Sequence, residues 1–269
     1  MSDIDERGSP RFRIATLNVR NTADRWRQRR ELLVTQLADL RPDVIGVQEL
    51  RRRPSQVAWI TRHLNQSLPL GPPYRHHSTG KARLWGLWEG IALLSRLPVV
   101  ARGSLDLGGE QRVANWVRVR LLDGAVLEVH NAHLSSRDER LREKQARLII
   151  DHLATRGETP TLLVGDLNAG PASSTLRVLG ERLRSAYTLV NGEEPRKTWP
   201  TALRPGIAHE SVLDYILVDD HLEVVEAWLT FDRPAPSDPT LFPSDHVGIA
   251  ATVRIRPADR LPTQSGSIR

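Results

Sequence analysis

The stretch that decides the fold is Thr161-Leu162-Leu163-Val164-Gly165-Asp166-Leu167-Asn168, in which an apolar run ends in a glycine, a carboxylate and an amide. An apolar run of this length is typical of a buried β-strand. If strand geometry continues past Gly165, Asp166 and Asn168 point the same way, because side chains alternate with a period of two. The ordinary alternative is that both residues form Asx turns before Pro171.

The same arrangement recurs elsewhere in the chain, where polar side chains adjoin apolar runs. The residues in such positions are Asn18, Glu49, His133, Asp214, Asp245 and His246. A lone polar residue beside a strand is more often a turn or a helix cap than a ligand. So many coincidences, however, favour one shared site, because strand ends are rigid platforms for functional groups.

Short β-type runs alternate with helical patterns along the rest of the chain. Strands are predicted at 12–19, 43–48, 90–95, 115–121, 125–132, 161–165, 212–218, 223–231 and 247–254. Amphipathic helices are predicted at 23–40 and 137–155, with weaker patterns at 54–66 and 173–183. Ser136 and Glu139 have the spacing of a capping box for the second helix. This mixture predicts a layered α/β or α+β architecture.

Composition excludes several classes of protein. The chain has 269 residues, of which 39% are hydrophobic and 26% charged, so disordered, collagen-like and membrane-embedded classes fit poorly. It has no long apolar span and no apolar signal segment at its start, which predicts a cytoplasmic protein without a membrane span. Residues 1–10 and 257–269 are predicted to be flexible tails around a single domain at 11–256. The absence of cysteine excludes disulfides and thiolate metal sites.

The charge balance is a balance of arginine. The net charge is +6, and all but three of the 38 basic residues are arginine. A guanidinium group suits bidentate contact with phosphate, so the charge favours an anionic substrate. Heat tolerance or genome composition is an equally ordinary reason for this preference.

The polar residues at the predicted strand ends supply carboxylate, amide and imidazole groups. Such a set suits a hard cation, Mg²⁺ or Mn²⁺, that holds a phosphate. Phosphoester hydrolysis fits the inventory, because a metal stabilises charge on a phosphoryl oxygen while an imidazole oriented by a carboxylate activates water. His130, by contrast, is predicted to be a structural histidine of the sheet.

Together, these segments resemble the endonuclease/exonuclease/phosphatase superfamily, the deoxyribonuclease I-like metal-dependent phosphoesterases, over about residues 12–254. The motifs, in order, are Thr16-Leu17-Asn18-Val19, Pro42-Asp43-Val44-Ile45-Gly46-Val47-Gln48-Glu49, Gly90-Ile91-Ala92-Leu93-Leu94-Ser95-Arg96, Asn131-Ala132-His133-Leu134, Gly165-Asp166-Leu167-Asn168-Ala169, Leu213-Asp214-Tyr215-Ile216 and Ser244-Asp245-His246. The resemblance implies an α+β fold, a four-layer α/β sandwich of two mixed β-sheets packed face to face and flanked by helices.

The resemblance also implies a metal site and a water site. Glu49 would be the main ligand of Mg²⁺ or Mn²⁺, with Asn18 and Asp245 beside it. Asp166 and Asn168 would position the attacking water and the phosphate.

Two histidines would share the proton transfers of such a site. His246, oriented by Asp214, is implied to be the general base or the stabiliser of the transition state. His133 is implied to be the general acid or an imidazole that contacts phosphate. Asn131 and Arg112 are implied to contact the substrate.

Two further features bear on the substrate. The segment from Tyr74 to Trp88 is predicted to be a loop that mixes cations with aromatics, suited either to stacking of bases by Trp88 or to packing on the sandwich.

Exonuclease III-type repair enzymes usually carry Thr-Lys after the metal glutamate and asparagine in place of His133. Here Leu50-Arg51 follows Glu49, which argues against abasic-site repair. Many members of the superfamily carry an arginine just before the Leu-Asp-Tyr motif, and this chain has Val212 there.

The leading functional hypothesis is a divalent-metal-dependent phosphodiester hydrolase, a nuclease of low base specificity on DNA or RNA. A phosphatase or phosphodiesterase acting on inositol phosphate or sphingomyelin-like substrates keeps the same chemistry. A catalytically silent nucleic-acid-binding module is the third hypothesis. The expected partner is a phosphoester substrate, nucleic acid foremost, for a monomer without an obligate protein partner.

Overall fold

The computed structural model describes residues 11–81 and 88–256. The predicted tails, and Arg83 and Trp85 of the predicted loop, lie outside the described residues. No helix within 11–81 or 88–256 is both long enough and apolar enough to cross a bilayer. The single domain at 11–256 stays a prediction.

The first sheet has six strands and carries half of the predicted site. In spatial order its strands are β11 (Leu222–Thr230), β12 (Gly248–Ile255), β1 (Phe12–Asn18), β2 (Val44–Arg51), β4 (Glu89–Ser95) and β3 (Arg75–Gly80). β1 and β2 run parallel, whereas the other neighbours are antiparallel. The parallel register places Asn18 beside Gln48, so Asn18 and Glu49 reach the same edge of the sheet.

The second sheet also has six strands and carries the other half. In spatial order its strands are β5 (Val99–Asp106), β6 (Val113–Arg120), β7 (Val126–His133), β8 (Thr161–Asp166), β10 (Asp214–Val218) and β9 (Arg184–Ser185). β7 and β8 run parallel, and their register pairs His133 with Asp166. The antiparallel register of β8 and β10 pairs Asp166 with Asp214. Three adjacent strands thus deliver three polar side chains to one end of the sheet.

Helices flank the two sheets. Those in the described residues are α1 (Trp26–Leu40), α2 (Gln56–Ser67), α3 (Glu139–Ala154), α4 (Ser174–Leu179) and α5 (Ala186–Asn191). Apolar residues of α1 and α2 pack on one face of the first sheet, and those of α3 and α4 on one face of the second. A third apolar cluster lies between the sheets. The predicted four-layer α/β sandwich with two mixed sheets is therefore confirmed.

The cap of α3 differs from the prediction. The N-cap is Asp138, whose side chain accepts a hydrogen bond from the Arg140 amide at 2.9 Å. Glu139 instead accepts from the backbone amide of Ser174 at 3.1 Å. The predicted capping box from Ser136 is wrong, because a carboxylate two residues closer to the first turn takes its place.

The sequence misses strands at the edges of the sheets. β3 lies where a loop is predicted, and β5 lies where no strand is predicted. Both are outer strands of their sheets, and their side chains are half-buried or exposed. Edge strands of this kind carry no apolar run, which is the signal on which strand prediction depends. All nine predicted strands are present, with ends shifted by a few residues.

Asn131 joins the two sheets in the interior. Its Nδ2 lies within hydrogen-bond distance of the carbonyls of Val47 and Ala92, at 3.3 and 3.0 Å, and its Oδ1 accepts from Gln48 at 2.7 Å. Gly46 leaves room for this side chain, because an added Cβ there would lie 3.0 Å from Asn131 Oδ1. A fully buried carboxamide with such partners fixes how the sheets sit against each other.

Gly165 permits the close approach of β7 and β8 beside Asp166. Its φ is 146°, and an added Cβ would stand 1.9 Å from the carbonyl oxygen of Ala132. We expect Gly165→Ala to lower the free energy of unfolding by about 2 to 4 kcal/mol through overlap and backbone strain. Gly170→Ala is the matched control, because an added Cβ meets no described atom within 4 Å there. Urea denaturation measures both variants, and equal stabilities would contradict the expectation.

Candidate active site

Asn18 links the two sheets at the edge where the predicted site residues meet. Its Nδ2 donates to Asp166 Oδ2 at 2.9 Å, across the interface between the sheets, and also lies 3.2 Å from Glu49 Oε1. The backbone amide of Arg20 donates to Asn18 Oδ1 at 2.9 Å. One carboxamide therefore holds a carboxylate from each sheet.

Glu49 reaches Asn18 because β2 is irregular at this point. The pairing of β2 with β4 shifts register between Val47 and Leu50, and Glu49 itself has a φ of 54°. A β-bulge with a left-handed residue turns a side chain away from the regular alternation. Strained backbone at a non-glycine residue is common at functional sites.

Asp245 is fully buried and lies near Arg20 and Trp199. Its Oδ2 is 3.3 Å from the indole nitrogen of Trp199 and 3.6 Å from Nε of Arg20. The hydroxyl of Ser244 donates to the carbonyl of Asn18, which ties this segment to the end of β1. The sequence reasoning missed Trp199 and Arg20; the position of Arg20 two residues after Asn18 was the available signal.

His246 and Asp214 form a buried pair. His246 Nδ1 lies 2.8 Å from Asp214 Oδ2, and His246 Nε2 lies 3.9 Å from Asp166 Oδ2. Burial alone would lower the pKa of His246, but the carboxylates of Asp214, Asp166 and Asp245 outweigh it and raise the pKa to about 10. The hydroxyl of Thr198 accepts hydrogen bonds from the backbone amides of Leu213 and Asp214, so the segment stays anchored with Val212 in place of arginine.

His133 has the opposite electrostatic character. Its Nε2 lies 3.6 Å from Asp166 Oδ2, and the ring is almost completely buried. Burial, followed by the positive charges of Arg112, Lys81 and His246, holds its pKa well below the ordinary value. One imidazole beside Asp166 is therefore a cation at neutral pH, and the other is neutral.

Asp166 lies between the two imidazoles. Burial, followed by repulsion from Asp214, raises its pKa to about 7. A carboxyl group with a pKa near neutrality is suited to accept a proton from water.

Asn168 does not extend β8. The strand ends at Asp166, and Asn168 has a φ of 49°. Its backbone amide donates to Asp166 Oδ1 at 3.0 Å, and its side chain donates to the carbonyl of Leu134 at 3.1 Å. The prediction that strand geometry aligns the two residues is wrong, because an Asx turn brings them together instead.

The oxygen donors at this edge fit a hard cation. Asp214 Oδ1 is buried and has no hydrogen-bond partner among the described residues. Ligand atoms of Asp166, Asp214 and His246 lie within 4.8 Å of one another. A protonated His246 is a poor ligand, whereas the carboxylates of Glu49 and Asp245 and the carboxamide of Asn18 are donors of the kind that hard cations take.

The three predicted substrate contacts lie in different environments. Arg112 is buried, and neither its Nε nor its Nη1 has a hydrogen-bond partner among residues 11–81 and 88–256. Trp88 is 57% exposed, and its carbonyl accepts from the amide of Arg52, three residues past Glu49. Asn131 is fully buried beneath the site, and its amide and oxygen are engaged by protein.

Comparisons with known proteins agree with this geometry. A model of the Endonuclease/Exonuclease/phosphatase family matches residues 15–246. The human Nocturnin catalytic domain with a bound sulfate anion is 21% identical, with a TM-score of 0.74, over 92% of this chain and 94% of that chain. A Bacteroides thetaiotaomicron mannosyl-6-phosphatase is 19% identical, with a TM-score of 0.74, and the match covers 90% of this chain and 99% of that chain. Truncated Caenorhabditis elegans TDP2 is 18% identical, with a TM-score of 0.72, and the match covers 91% of this chain and 98% of that chain. These structures share the fold; no curated protein sequence matches the chain.

The charge of Asp214 accounts for the raised pKa of His246. We expect Asp214→Asn to lower the titration midpoint of His246 by about one to three pH units, and Asp151→Asn on the exposed face of α3 to leave it unchanged. NMR of the imidazole nitrogens in metal-free protein measures both. The pair stabilises the fold fully below the ordinary pKa of 6.5, and this contribution is lost as pH rises through about 10. An unchanged midpoint in Asp214→Asn would contradict the assignment.

Proposed function

The chain belongs to the Endonuclease/Exonuclease/phosphatase family of phosphoester hydrolases, as its motifs predict, and from that premise we propose that it is a divalent-metal-dependent phosphodiesterase that cleaves DNA or RNA with little base specificity. The proposal rests on two imidazoles in opposite charge states that converge on buried Asp166. The edge that carries Glu49 and Asp245, here called the acidic edge, and buried Arg112 complete the proposed site. The cytoplasmic location and monomeric state of the protein stay predictions.

The acidic edge is proposed to hold Mg²⁺ or Mn²⁺. Glu49, Asn18 and Asp245 would hold the ion, whose chemistry is to stabilise negative charge on a phosphoryl oxygen. The chemistry of the donors supports this, because carboxylate and amide oxygens are the ligands that such ions prefer.

The buried residues beneath this edge would handle the protons. Asp166 would take a proton from the attacking water, with Asn168 helping to place that water and the phosphate. His246, kept cationic by Asp214, would stabilise the negative charge of the pentacoordinate phosphorus. His133, which is neutral, would contact the phosphate on the side of the leaving oxygen.

Arg112 and Trp88 are proposed to bind the substrate. A buried guanidinium near His133, with its Nε and Nη1 unpartnered among the described residues, fits a phosphate oxygen, because leaving such donors unpaired is costly. The exposed indole of Trp88, whose backbone pairs with Arg52 three residues past Glu49, offers a stacking surface that tolerates any base. The arginine-rich composition fits the polyanionic backbone. Asn131 is proposed to support the site from below.

Metal dependence and substrate class are tested together. We expect purified protein with Mg²⁺ or Mn²⁺ to cleave plasmid, single-stranded DNA or RNA, and chelation to abolish cleavage. We expect Glu49→Ala to lower turnover by about 10²-fold or more, with Glu143→Ala on the exposed face of α3 unchanged. Release of phosphate or phosphocholine from inositol phosphates or sphingomyelin without strand cleavage would assign the chemistry to those substrates. Folded protein that binds nucleic acid without any turnover would refute the enzymatic proposal.

Arg112 is tested by a change that keeps its charge. We expect Arg112→Lys to reduce kcat/KM by about tenfold or more, because a lysine cannot present a planar fork of donors to a phosphate. Arg182→Lys, at an exposed position after α4, is the matched control and should leave kcat/KM unchanged. Steady-state kinetics on a short oligonucleotide measures both, and equal values would remove Arg112 from the substrate site.

A further inference from the structure

The largest fully buried side chain among the described residues is an arginine, Arg29 of α1. Its guanidinium makes seven hydrogen bonds, all to backbone carbonyls. The acceptors are Val19, Arg20, Asn21, Ala23, Asp24 and Pro243. The bonds range from 2.7 to 3.2 Å, and Ala23 accepts two of them. A guanidinium offers five N–H groups in one plane, so several of these bonds are shared.

The acceptors belong to two segments that both adjoin the proposed metal site. Residues 19–24 directly follow Asn18, and their backbone is left-handed at Arg20, Asn21 and Asp24. Pro243 directly precedes Ser244, Asp245 and His246. Arg29 Nη1 contacts both segments, with bonds of 2.7 Å to Val19 and 3.0 Å to Pro243.

The pairing of β1 with β12 does not reach these segments. The ladder between β1 and β12 ends where Thr16 pairs with Ile249. Beyond that point, the Ser244 hydroxyl bonds to the carbonyl of Asn18, and Arg29 bridges the flanking backbone. A second arginine, Arg25, joins the same regions nearer the surface through an ion pair with Asp238. Side chains therefore take over the role of the ladder between the backbone next to Asn18 and the backbone next to Asp245.

We propose that Arg29 is a positioning residue that fixes the separation between Asn18 and Asp245. The inference rests on the proposed function, since these two residues are the proposed partners of Glu49 in holding the cation. Six carbonyls would lose the guanidinium as a donor, and only those of Arg20 and Asn21 also accept from other described residues, Ala23 and Gln56. A lysine with three donors on a single nitrogen does not replace the guanidinium. Loops freed in this way turn toward water, and the two ligands move apart.

The test measures metal binding separately from turnover. Mn²⁺ binding to the full chain is followed by electron paramagnetic resonance in wild type, Arg29→Lys and Arg29→Met. The matched control is Arg156→Lys, which also removes a guanidinium held by protein contacts. The Arg156 guanidinium bonds to buried Glu128 at 2.8 and 2.9 Å and stacks on Trp116, at the other end of β7 from His133. Thermal unfolding is recorded for every variant.

We expect Arg29→Lys to remain folded and to weaken Mn²⁺ binding about tenfold or more, whereas Arg156→Lys loses thermal stability with unchanged Mn²⁺ affinity. Unchanged affinity in Arg29→Lys, or the same loss in Arg156→Lys, would overturn the proposal. If both Arg29 variants fail to fold, Arg29 is a folding determinant and the proposal is also overturned. Wild-type protein that binds Mn²⁺ but cleaves no phosphoester would refute the proposed function and leave this test intact.

Discussion

The rest of the site depends on one carboxamide that holds two carboxylates together. Asn18 donates to Asp166 from the other sheet and lies in hydrogen-bond range of Glu49 from its own sheet. Without such a donor, buried acidic groups at this edge repel each other, and the repulsion pushes the sheets apart at the point where the chemistry is proposed to occur. The interior carboxamide of Asn131 reinforces the same junction from below. The fold thus brings together groups that would separate in water.

Burial and neighbouring charges together give each proposed catalytic group its protonation state. Burial, followed by repulsion from Asp214, raises the pKa of Asp166 to about 7, and the charge of Asp214 helps to raise the pKa of His246 to about 10. His133 lies on the opposite side of Asp166, near Arg112, and burial keeps it neutral. The two histidines have the same side chain, yet one is a cation and the other is neutral, because their surroundings differ.

The apolar runs of the sequence predict the buried strands and a layered architecture, and the family resemblance adds the two sheets and four layers. Polar residues at the strand ends indicate the edge at which the site is proposed. The apolar runs do not predict β3 or β5, whose exposed side chains lack that signal. The bulge that aims Glu49 is also missed, since it depends on backbone angles set by tertiary packing. The sequence leaves open whether Asp166 and Asn168 continue the strand or form an Asx turn, and only the structure decides for the turn. Arg29 escapes notice in a chain with so many arginines, because only the structure shows that its partners are carbonyls.

The most direct test of the account is the position of a bound ion. Crystals grown with Mn²⁺ and measured at the manganese absorption edge give an anomalous difference peak that locates the ion without assumption about its ligands. The account places this peak about 2.2 Å from a Glu49 carboxylate oxygen, on the side of Asn18 and Asp245. A peak between Asp166, Asp214 and His246, or on a separate surface of the molecule, would contradict it.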